Sequence, residues 1–159
     1  IGSAPELTEQ DVCPIVQRVG AYFRHRTSSR VTITVSVPPQ AVTARVNAPL
    51  LEWVFENLCK NAIDAMQGAG NLTLTLKESA IVEKRKRYLR VEVSDTGKGI
   101  AKNHFQRVFK PGFTTKRRGW GLGLSLAKRI VEEYHHGRIY VLASEVGQGT
   151  TFAVDIEQC

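Results

Sequence analysis

The sequence lacks several features that would assign it to common protein classes. Its three cysteines, Cys13, Cys59 and Cys159, are odd in number and show no metal-binding spacing. We therefore expect neither a disulfide framework nor a zinc site, and we expect a reducing compartment. No apolar run approaches the roughly 20 residues of a membrane-spanning helix, and no signal peptide is present. These absences predict a cytoplasmic domain. A longer parent protein with a membrane anchor outside this domain is compatible with that prediction.

Repeats, low-complexity segments and nucleic-acid recognition motifs are absent as well. The 159 residues carry 22 Lys and Arg against 15 Asp and Glu, which gives a formal net charge of +7. This basic balance suits a polyanionic ligand or an acidic partner protein. Because no recognition helix, zinc finger or RNA-binding aromatic motif accompanies the charge, we predict no nucleic-acid partner.

The residues from about Leu50 to Gln67 form the clearest helical pattern in the chain, and Asn47 is predicted to cap this helix. At about 100° per residue one side of this helix is apolar and the opposite side is charged. Asn57 and Asn61 lie at the boundary, one turn apart, with their amides facing the same way. Two interpretations remain open here: ordinary half-exposed polar residues, or oxygen ligands beside a cleft. The predicted buried positions are Leu51, Val54, Phe55, Leu58, Ala62, Ala65 and Met66.

Strands with interspersed helices are predicted over the rest of the chain. Residues 1–10 resemble a linker, and the folded domain is expected to span 11–159. The charged run 83–87 is interpreted as a hairpin turn, with a nucleic-acid patch as the weaker alternative. We predict an α/β (α+β) two-layer sandwich, with a mixed, mostly antiparallel sheet and helices on one face. The remaining predicted elements are helices over 11–25 and 122–136, and strands over 31–37, 43–46, 71–78, 88–94, 138–144 and 150–156.

A short loop with one acid and two glycines, Asp95 to Ile100, directly follows an apolar strand. It could be a simple Asp-Gly turn. The alternative is that Gly97 and Gly99 let the backbone pass close to a flat ligand while Asp95 points inward. A buried carboxylate accepts from an exocyclic amine, so such a site would select adenine and reject guanine.

Three alternating glycines, Gly119, Gly121 and Gly123, begin the second long helix. Exposed backbone N–H groups and the positive end of a helix dipole favour an anion there. The pattern fits neither a phosphate-binding Walker loop nor a dinucleotide fingerprint. Between the two glycine stretches, a loop with Phe109 and Phe113 suits a lid hinged at both ends, or an ordinary loop pinned by its aromatics.

The final strand begins with Gly149 and Thr150, whose hydroxyl group could donate to the floor of a pocket. The helix with Asn61, the Asp95 loop, the phenylalanine loop, the glycine helix start and Gly149-Thr150 occur in that order. Over about residues 30–157, this order resembles the N, G1, F, G2 and G3 boxes of the Bergerat-fold (GHKL) ATP-binding family. More narrowly, it resembles the catalytic, ATP-binding domain of a bacterial sensor histidine kinase.

The resemblance implies ATP and Mg²⁺ as cofactors. It implies that Asn61 is the Mg²⁺ ligand, and that Asn57, Lys60 and Lys116 are catalytic candidates near the phosphates. Asp95 would accept from the adenine amine and Thr150 would lie beneath the adenine. The remaining nucleotide-binding residues implied are Gly97, Gly99, Ile100, Thr114, Thr115, Lys116, Gly119, Gly121, Leu122, Gly123 and Leu124.

Position 57 distinguishes branches of that family. Hydrolytic members carry Glu one turn before the Mg²⁺ asparagine, whereas this chain has Asn57. The resemblance therefore favours a kinase whose base lies on another domain. None of the four histidines shows the family's acceptor pattern, so we expect an N-terminal dimerisation and phosphoacceptor domain, a homodimeric full-length protein and an indirect response-regulator partner. A nucleotide-switched binding module without kinase activity is the alternative.

Overall fold

A five-stranded sheet forms one layer of the molecule, and helices pack against one of its faces. The computed structural model describes residues 4–83, 86–113 and 123–159, with the backbone alone over 79–83. Two short 3₁₀ turns, Lys102–His104 and Arg107–Phe109, follow the fifth strand, and a π-helical segment, Ile130–Tyr134, continues the third helix. The strands and α-helices are β1 (Thr8–Asp11), α1 (Cys13–Arg26), β2 (Val31–Ser36), β3 (Thr43–Val46), α2 (Ala48–Ala65), β4 (Gly70–Glu83), β5 (Lys86–Asp95), α3 (Gly123–Arg129), β6 (Arg138–Glu145) and β7 (Gly149–Glu157).

The strand order of the main sheet is β2-β4-β5-β7-β6. Strands β2 and β4 run parallel, and each of the other neighbouring pairs runs antiparallel. A separate two-stranded sheet joins β1 to β3. The predicted fold class, a mixed and mostly antiparallel sheet in a two-layer sandwich, is confirmed.

The inward face of the sheet is apolar along most of its length and polar at one end. Alternate residues of the three central strands point toward the helices, as the period of two in a β-strand requires. The last apolar pair is Val93 and Phe152, and the next positions on the same face are Asp95 and Thr150. The alternation thus carries two polar side chains to the end of the core. The buried apolar residues of this face are Leu72, Leu74, Leu76, Leu89, Val91, Val93, Phe152, Val154 and Ile156.

Helix α2 starts at the predicted cap and ends two residues earlier than predicted. Asn47 is its N-cap, since the side-chain oxygen accepts from the backbone N–H of Leu50 at 3.1 Å. The helix ends at Ala65, and Gln67 adopts a left-handed φ of 55°. The predicted buried side is confirmed apart from Ala65, which is half-buried.

The N-terminal prediction of a linker over 1–10 is wrong in part. Strand β1 begins at Thr8 and pairs antiparallel with β3, with Thr8 opposite Val46. Asp11 ends this strand, and its Oδ1 accepts from the backbone N–H groups of Cys13 at 3.0 Å and Val42 at 3.1 Å. The folded unit therefore includes residues that have no alternating pattern of their own.

The second predicted helix, over 122–136, is not one continuous α-helix. Within the described residues, α3 runs from Gly123 to Arg129 and then widens into the π-helical segment, which His135 closes by donating its backbone N–H to Ile130 O at 3.2 Å. In helix α1, helical spacing places Tyr22 on the same apolar stripe as Val19 and Phe23, but Tyr22 is 43% exposed.

Candidate functional site

Asp95 ends β5 with its carboxyl group on the inward face of the sheet. The residue is 6% exposed, and its Oδ1 accepts from the backbone N–H of Gly97 at 2.8 Å. Burial raises the pKa of Asp95, while hydrogen bonds from the backbone N–H groups of Gly97 and Thr150 oppose that rise. The site thus holds a desolvated carboxyl group at the polar end of the core.

The loop after Asp95 is pressed between helix α2 and the β6–β7 hairpin. The backbone N–H of Lys98 donates to Ala65 O at 3.0 Å, and a Cβ atom at Gly97 would lie 2.6 Å from the same carbonyl oxygen. Gly99 has φ +77°, and a Cβ there would collide with the carbonyl group of Glu145. Both glycines are therefore required by close approach of the loop to protein backbone, and the predicted approach to a flat ligand stays a prediction.

The β6–β7 hairpin closes the other side of the loop. The backbone N–H of Gly147 donates to Lys98 O at 2.8 Å. Gly149 has φ +135°, and a Cβ at that position would collide with the carbonyl oxygen of Asp95. The backbones of the hairpin and of the Asp95 loop are thus in direct contact, and there is no room for a side chain at Gly149.

The two asparagines of α2 meet the start of α3. Asn61 Nδ2 donates to Asn57 Oδ1 at 3.4 Å, and both side chains are half-buried. A Cβ at Gly123 would lie 2.6 Å from Asn57 Nδ2, so the glycine is packed against that amide. The side-chain amides of Asn57 and Asn61 therefore lie directly beside Gly123, the first residue of α3.

The other predicted site residues have different surroundings. Lys60 is exposed on α2, Leu124 is half-buried against the core, and the backbone N–H of Ile100 donates to Ser144 Oγ at 2.7 Å. Six predicted residues lie outside the described part of the chain: Thr114, Thr115, Lys116, Gly119, Gly121 and Leu122. Their assignment to the phosphates stays a prediction.

The described part of the phenylalanine loop is pinned at its start. Phe109 is buried and meets Phe152 of the core edge-on, with ring centroids 6.0 Å apart. Phe113 is half-buried and contacts the ring of His104, with centroids 5.4 Å apart. Up to Phe113, these aromatic contacts fit the interpretation of a loop held by its rings.

Ser144 is a site residue that the sequence did not reveal. Its hydroxyl group lies 2.8 Å from Thr150 Oγ1 and also contacts the backbone at Ile100 and Gly149. If side chains alternated strictly along β6, Ser144 would point away from the inward face of the sheet, where Thr150 lies. A shift in register between Val141 and Ala143 reverses that alternation.

Two further features are absent from the described residues. Between residues 4 and 159, leaving aside 84–85 and 114–122, no cluster of three or more His, Cys, Asp or Glu side chains could hold a metal ion. In the same part of the chain, no helix combines the length and the apolar character needed to cross a membrane.

Comparison with known proteins places this geometry in a family. The model of the family described as histidine kinase-, DNA gyrase B-, and HSP90-like ATPase matches residues 46–158. Sporulation kinase E of Bacillus subtilis (strain 168) is 39% identical over 106 residues, which are 67% of this chain and 13% of that protein. The chain thus spans about one eighth of the length of this curated relative.

Solved structures give the same result for the fold. The nucleotide-free catalytic domain of histidine kinase ThkA superimposes with a TM-score of 0.83 at 25% identity, over 97% of each chain. Full-length ShkA in complex with AMPPNP gives a TM-score of 0.82 at 25% identity, over 99% of this chain and 33% of ShkA. The chain belongs to the histidine kinase-, DNA gyrase B- and HSP90-like ATPase family, and its fold is that of a histidine kinase catalytic domain.

Proposed function

We propose that this chain binds Mg²⁺·ATP between α2 and the start of α3 and serves a sensor histidine kinase by transferring the γ-phosphoryl group to a histidine on a separate domain. The single observation that carries the nucleotide half is the buried carboxyl group of Asp95 beside backbone that admits only glycine at Gly97, Gly99 and Gly149. Family membership and the AMPPNP complex of ShkA support it.

The adenine end of the site would work by hydrogen-bond polarity. A carboxylate accepts and does not donate, so Asp95 would bind the 6-amino group of adenine and repel the 6-oxo group of guanine. A hydrogen bond to a charged group contributes roughly 1.5–3 kcal/mol. The glycines would act indirectly, because the close backbone contacts that they allow with Ala65 and Glu145 hold the Asp95 loop in place beside the base.

At the phosphate end of the site, the side-chain amides of α2 offer the kind of oxygen ligand that Mg²⁺ prefers. Magnesium prefers oxygen ligands and usually takes only one or two from the protein, with water and phosphate supplying the rest. Asn61 Nδ2 donates to Asn57 Oδ1 at 3.4 Å, and the amide oxygen of Asn61 is the atom that would coordinate Mg²⁺. Bound ATP supplies the phosphoryl group and Mg²⁺ supplies charge neutralisation, while Asn61, with Lys60 and Lys116 as the candidate cations, would orient the phosphates.

The side chain at position 57 argues against hydrolysis within the pocket. An amide cannot take a proton from water at neutral pH, and Asn57 is held between Asn61 and Gly123. A domain of this kind would retain ATP until another group accepts the phosphoryl group. This favours a kinase over an ATPase.

None of the four histidines is proposed as the acceptor, because His25 and His136 are exposed but lack the family's acceptor pattern, and His104 and His135 are at least half-buried. His135 is 5% exposed and both of its ring nitrogens are engaged, Nδ1 with Ile130 O at 2.9 Å and Nε2 with the backbone N–H of Asn47 at 3.1 Å. His104 is half-buried beside Phe113. The proposed acceptor therefore belongs to a dimerisation domain of a homodimeric parent, and a response regulator would take the phosphoryl group from it.

Nucleotide binding is tested by calorimetric titration with ATP and MgCl₂. Asp95→Asn should weaken binding roughly 10- to 100-fold, because the amide can turn a donor toward the base. Glu92→Gln is the matched control, since Glu92 lies on the same strand but on the other face, where it pairs with Lys77 at 3.1 Å. Equal ATP affinity in wild type and a folded Asp95→Asn would exclude the assignment.

Phosphoryl transfer is tested with the longest natural form of the protein and ATP labelled at the γ-phosphate. Acid-labile, base-stable label on the protein, lost in Asp95→Asn, is the expected result. If nucleotide binds tightly but no phosphohistidine forms, the alternative of a nucleotide-switched binding module is correct and the kinase proposal is wrong.

A further inference from the structure

The hydroxyl group of Ser144 makes three polar contacts within the base end of the site. Its Oγ accepts from the backbone N–H of Ile100 at 2.7 Å. It donates to the carbonyl oxygen of Gly149 at 3.0 Å and lies 2.8 Å from Thr150 Oγ1. The side chain thus joins the loop after Asp95 to the first two residues of β7.

These contacts determine which way the hydrogen of Thr150 points. A serine hydroxyl has one hydrogen and two lone pairs. When Ser144 donates that hydrogen to Gly149 O, the short contact with Thr150 is a hydrogen bond only if Thr150 donates. The reverse arrangement would place the lone pairs of Ser144 and Gly149 O against each other at 3.0 Å. Only in the first arrangement are all three contacts hydrogen bonds. The single hydrogen and both lone pairs of the Ser144 hydroxyl group then each have a partner.

The backbone of β6 is distorted in the way this contact needs. Val141 is opposite Phe152 and Ala143 is opposite Thr151, so one extra residue, Leu142, interrupts the pairing. A β-bulge of this type reverses the alternation of side chains beyond it. Without it, Ser144 would face away from Thr150 and could not reach either Ile100 or Gly149.

We propose that Ser144 is a positioning residue that turns Thr150 into a hydrogen-bond acceptor toward the base, so that Asp95 and Thr150 together form an acceptor pair selective for a 6-aminopurine over a 6-oxopurine. This inference rests on the proposed function, because it assigns a specificity determinant to the same nucleotide site. It reverses the expectation from the sequence that Thr150 donates to the pocket.

The consequence for ligand choice follows from the chemistry of position 6. Adenine presents two N–H hydrogens there, which two acceptors can share, whereas hypoxanthine and guanine present an oxygen. Removing the Ser144 hydroxyl frees the hydrogen of Thr150 to rotate toward the base. The site could then donate to a 6-oxo group, and its discrimination against inosine triphosphate should weaken.

The test compares the Kd of ATP with that of inosine triphosphate, which has an oxo group in place of the 6-amino group and a hydrogen on N1, in the presence of MgCl₂. In Ser144→Ala the ratio of the two constants should fall roughly three- to tenfold toward one, chiefly because inosine triphosphate binds better. Ser144→Thr keeps a hydroxyl group at the position and should restore the wild-type ratio. Thermal unfolding of each variant shows that the fold is retained.

Ser94→Ala is the matched control, because Ser94 Oγ and Thr151 Oγ1 form the same kind of hydroxyl pair at 2.8 Å on the outer face of the sheet. It should leave the ratio unchanged. A purely structural role of Ser144 would weaken both nucleotides together, and an unchanged ratio in Ser144→Ala overturns the inference. Wild-type protein that binds neither nucleotide contradicts the proposed function instead.

Discussion

The backbone N–H of Asn47 donates to Nε2 of His135 across 3.1 Å, between residues 88 positions apart in the chain. The other ring nitrogen lies 2.9 Å from Ile130 O and must carry the hydrogen, since a carbonyl oxygen can only accept. His135 is therefore held as a neutral imidazole. The contact joins the N-cap of α2, the helix that carries Asn57 and Asn61, to the π-helical end of the α3 segment.

Acid should weaken the fold through this histidine. Burial lowers the pKa of His135 from its ordinary 6.5, aided by the charge of neighbouring His136 and opposed by the hydrogen bond to Ile130 O. The hydrogen bond from Asn47 also favours the neutral ring, because a protonated Nε2 could not accept it. A lowered folded pKa contributes stability that is complete above pH 6.5 and is lost as the pH falls through the lower value. We expect the free energy of unfolding, measured by urea titration, to decrease from about pH 7 to pH 5.

Two variants separate this cause from general acid effects. His135→Gln can keep an acceptor near Asn47 but cannot be protonated, so its stability should depend less steeply on pH over the same range. His25→Gln changes an exposed histidine near the end of α1, leaves the buried ring and its neighbours in place and should keep the wild-type slope. Parallel slopes in wild type and His135→Gln would show that another group is responsible.

Two glycines with the same left-handed backbone conformation allow the cost of backbone strain to be separated from the cost of a steric collision. Gly99 has φ +77° and Gly147 has φ +82°, but a Cβ at Gly99 would collide with Glu145 whereas none would be met within 4 Å at Gly147. Gly147→Ala should cost roughly 1 kcal/mol of unfolding free energy, from the left-handed conformation. Gly99→Ala should cost roughly 2–4 kcal/mol and also weaken ATP binding. Equal losses by chemical denaturation would mean that the backbone contact with the hairpin is unimportant.

Two buried carboxyl groups on adjacent strands should respond oppositely to replacement. Asp155 accepts from Arg90 Nε at 2.7 Å and Nη2 at 3.2 Å, and from the Tyr140 hydroxyl at 2.7 Å. Asp155→Asn would leave the guanidinium without its partner, and we expect it to lower the free energy of unfolding by about 3 kcal/mol at pH 7.

For Asp95 the sign is reversed in the absence of nucleotide. Burial raises its pKa above the ordinary 3.8, so the folded state binds this proton more tightly than the unfolded chain does. The stability that this gives is present below pH 3.8 and is lost as the pH rises through the folded pKa. At pH 7, Asp95→Asn should therefore be as stable as wild type or more stable. A loss as large as that of Asp155→Asn would contradict this picture of the site.

Local sequence patterns were enough to predict elements whose own residues show a regular spacing of apolar side chains or a capping side chain. The apolar side of α2 follows from the spacing of Leu51, Val54 and Leu58, and the cap at Asn47 follows from its side-chain chemistry. The glycines of the Asp95 loop indicated a close backbone approach, but the sequence assigned it to a ligand, whereas the structure shows Ala65 and Glu145 in contact.

Features that depend on distant parts of the chain were not predictable in the same way. Strand β1 forms because β3 offers it a partner, and nothing within residues 8–11 alternates. The bulge at Leu142 arises from how β6 pairs with β7, so the inward position of Ser144 was hidden. The same is true of His135, whose ring is held by Asn47, a residue 88 positions away.

The magnesium assignment makes the most selective prediction for the phosphate end. If Asn61 supplies an oxygen ligand, Asn61→Ala should reduce the gain in ATP affinity that MgCl₂ gives over EDTA by roughly tenfold or more. Affinity in EDTA should change little, because Asp95 and the glycine backbone would still hold the base. Asn71→Ala, at an exposed asparagine at the start of β4, is the control and should keep the full magnesium effect. Since Asn61 also donates to Asn57 at 3.4 Å, thermal unfolding must show that the variant is folded. An undiminished magnesium effect in folded Asn61→Ala would place the metal ligand elsewhere, outside the amide pair of α2.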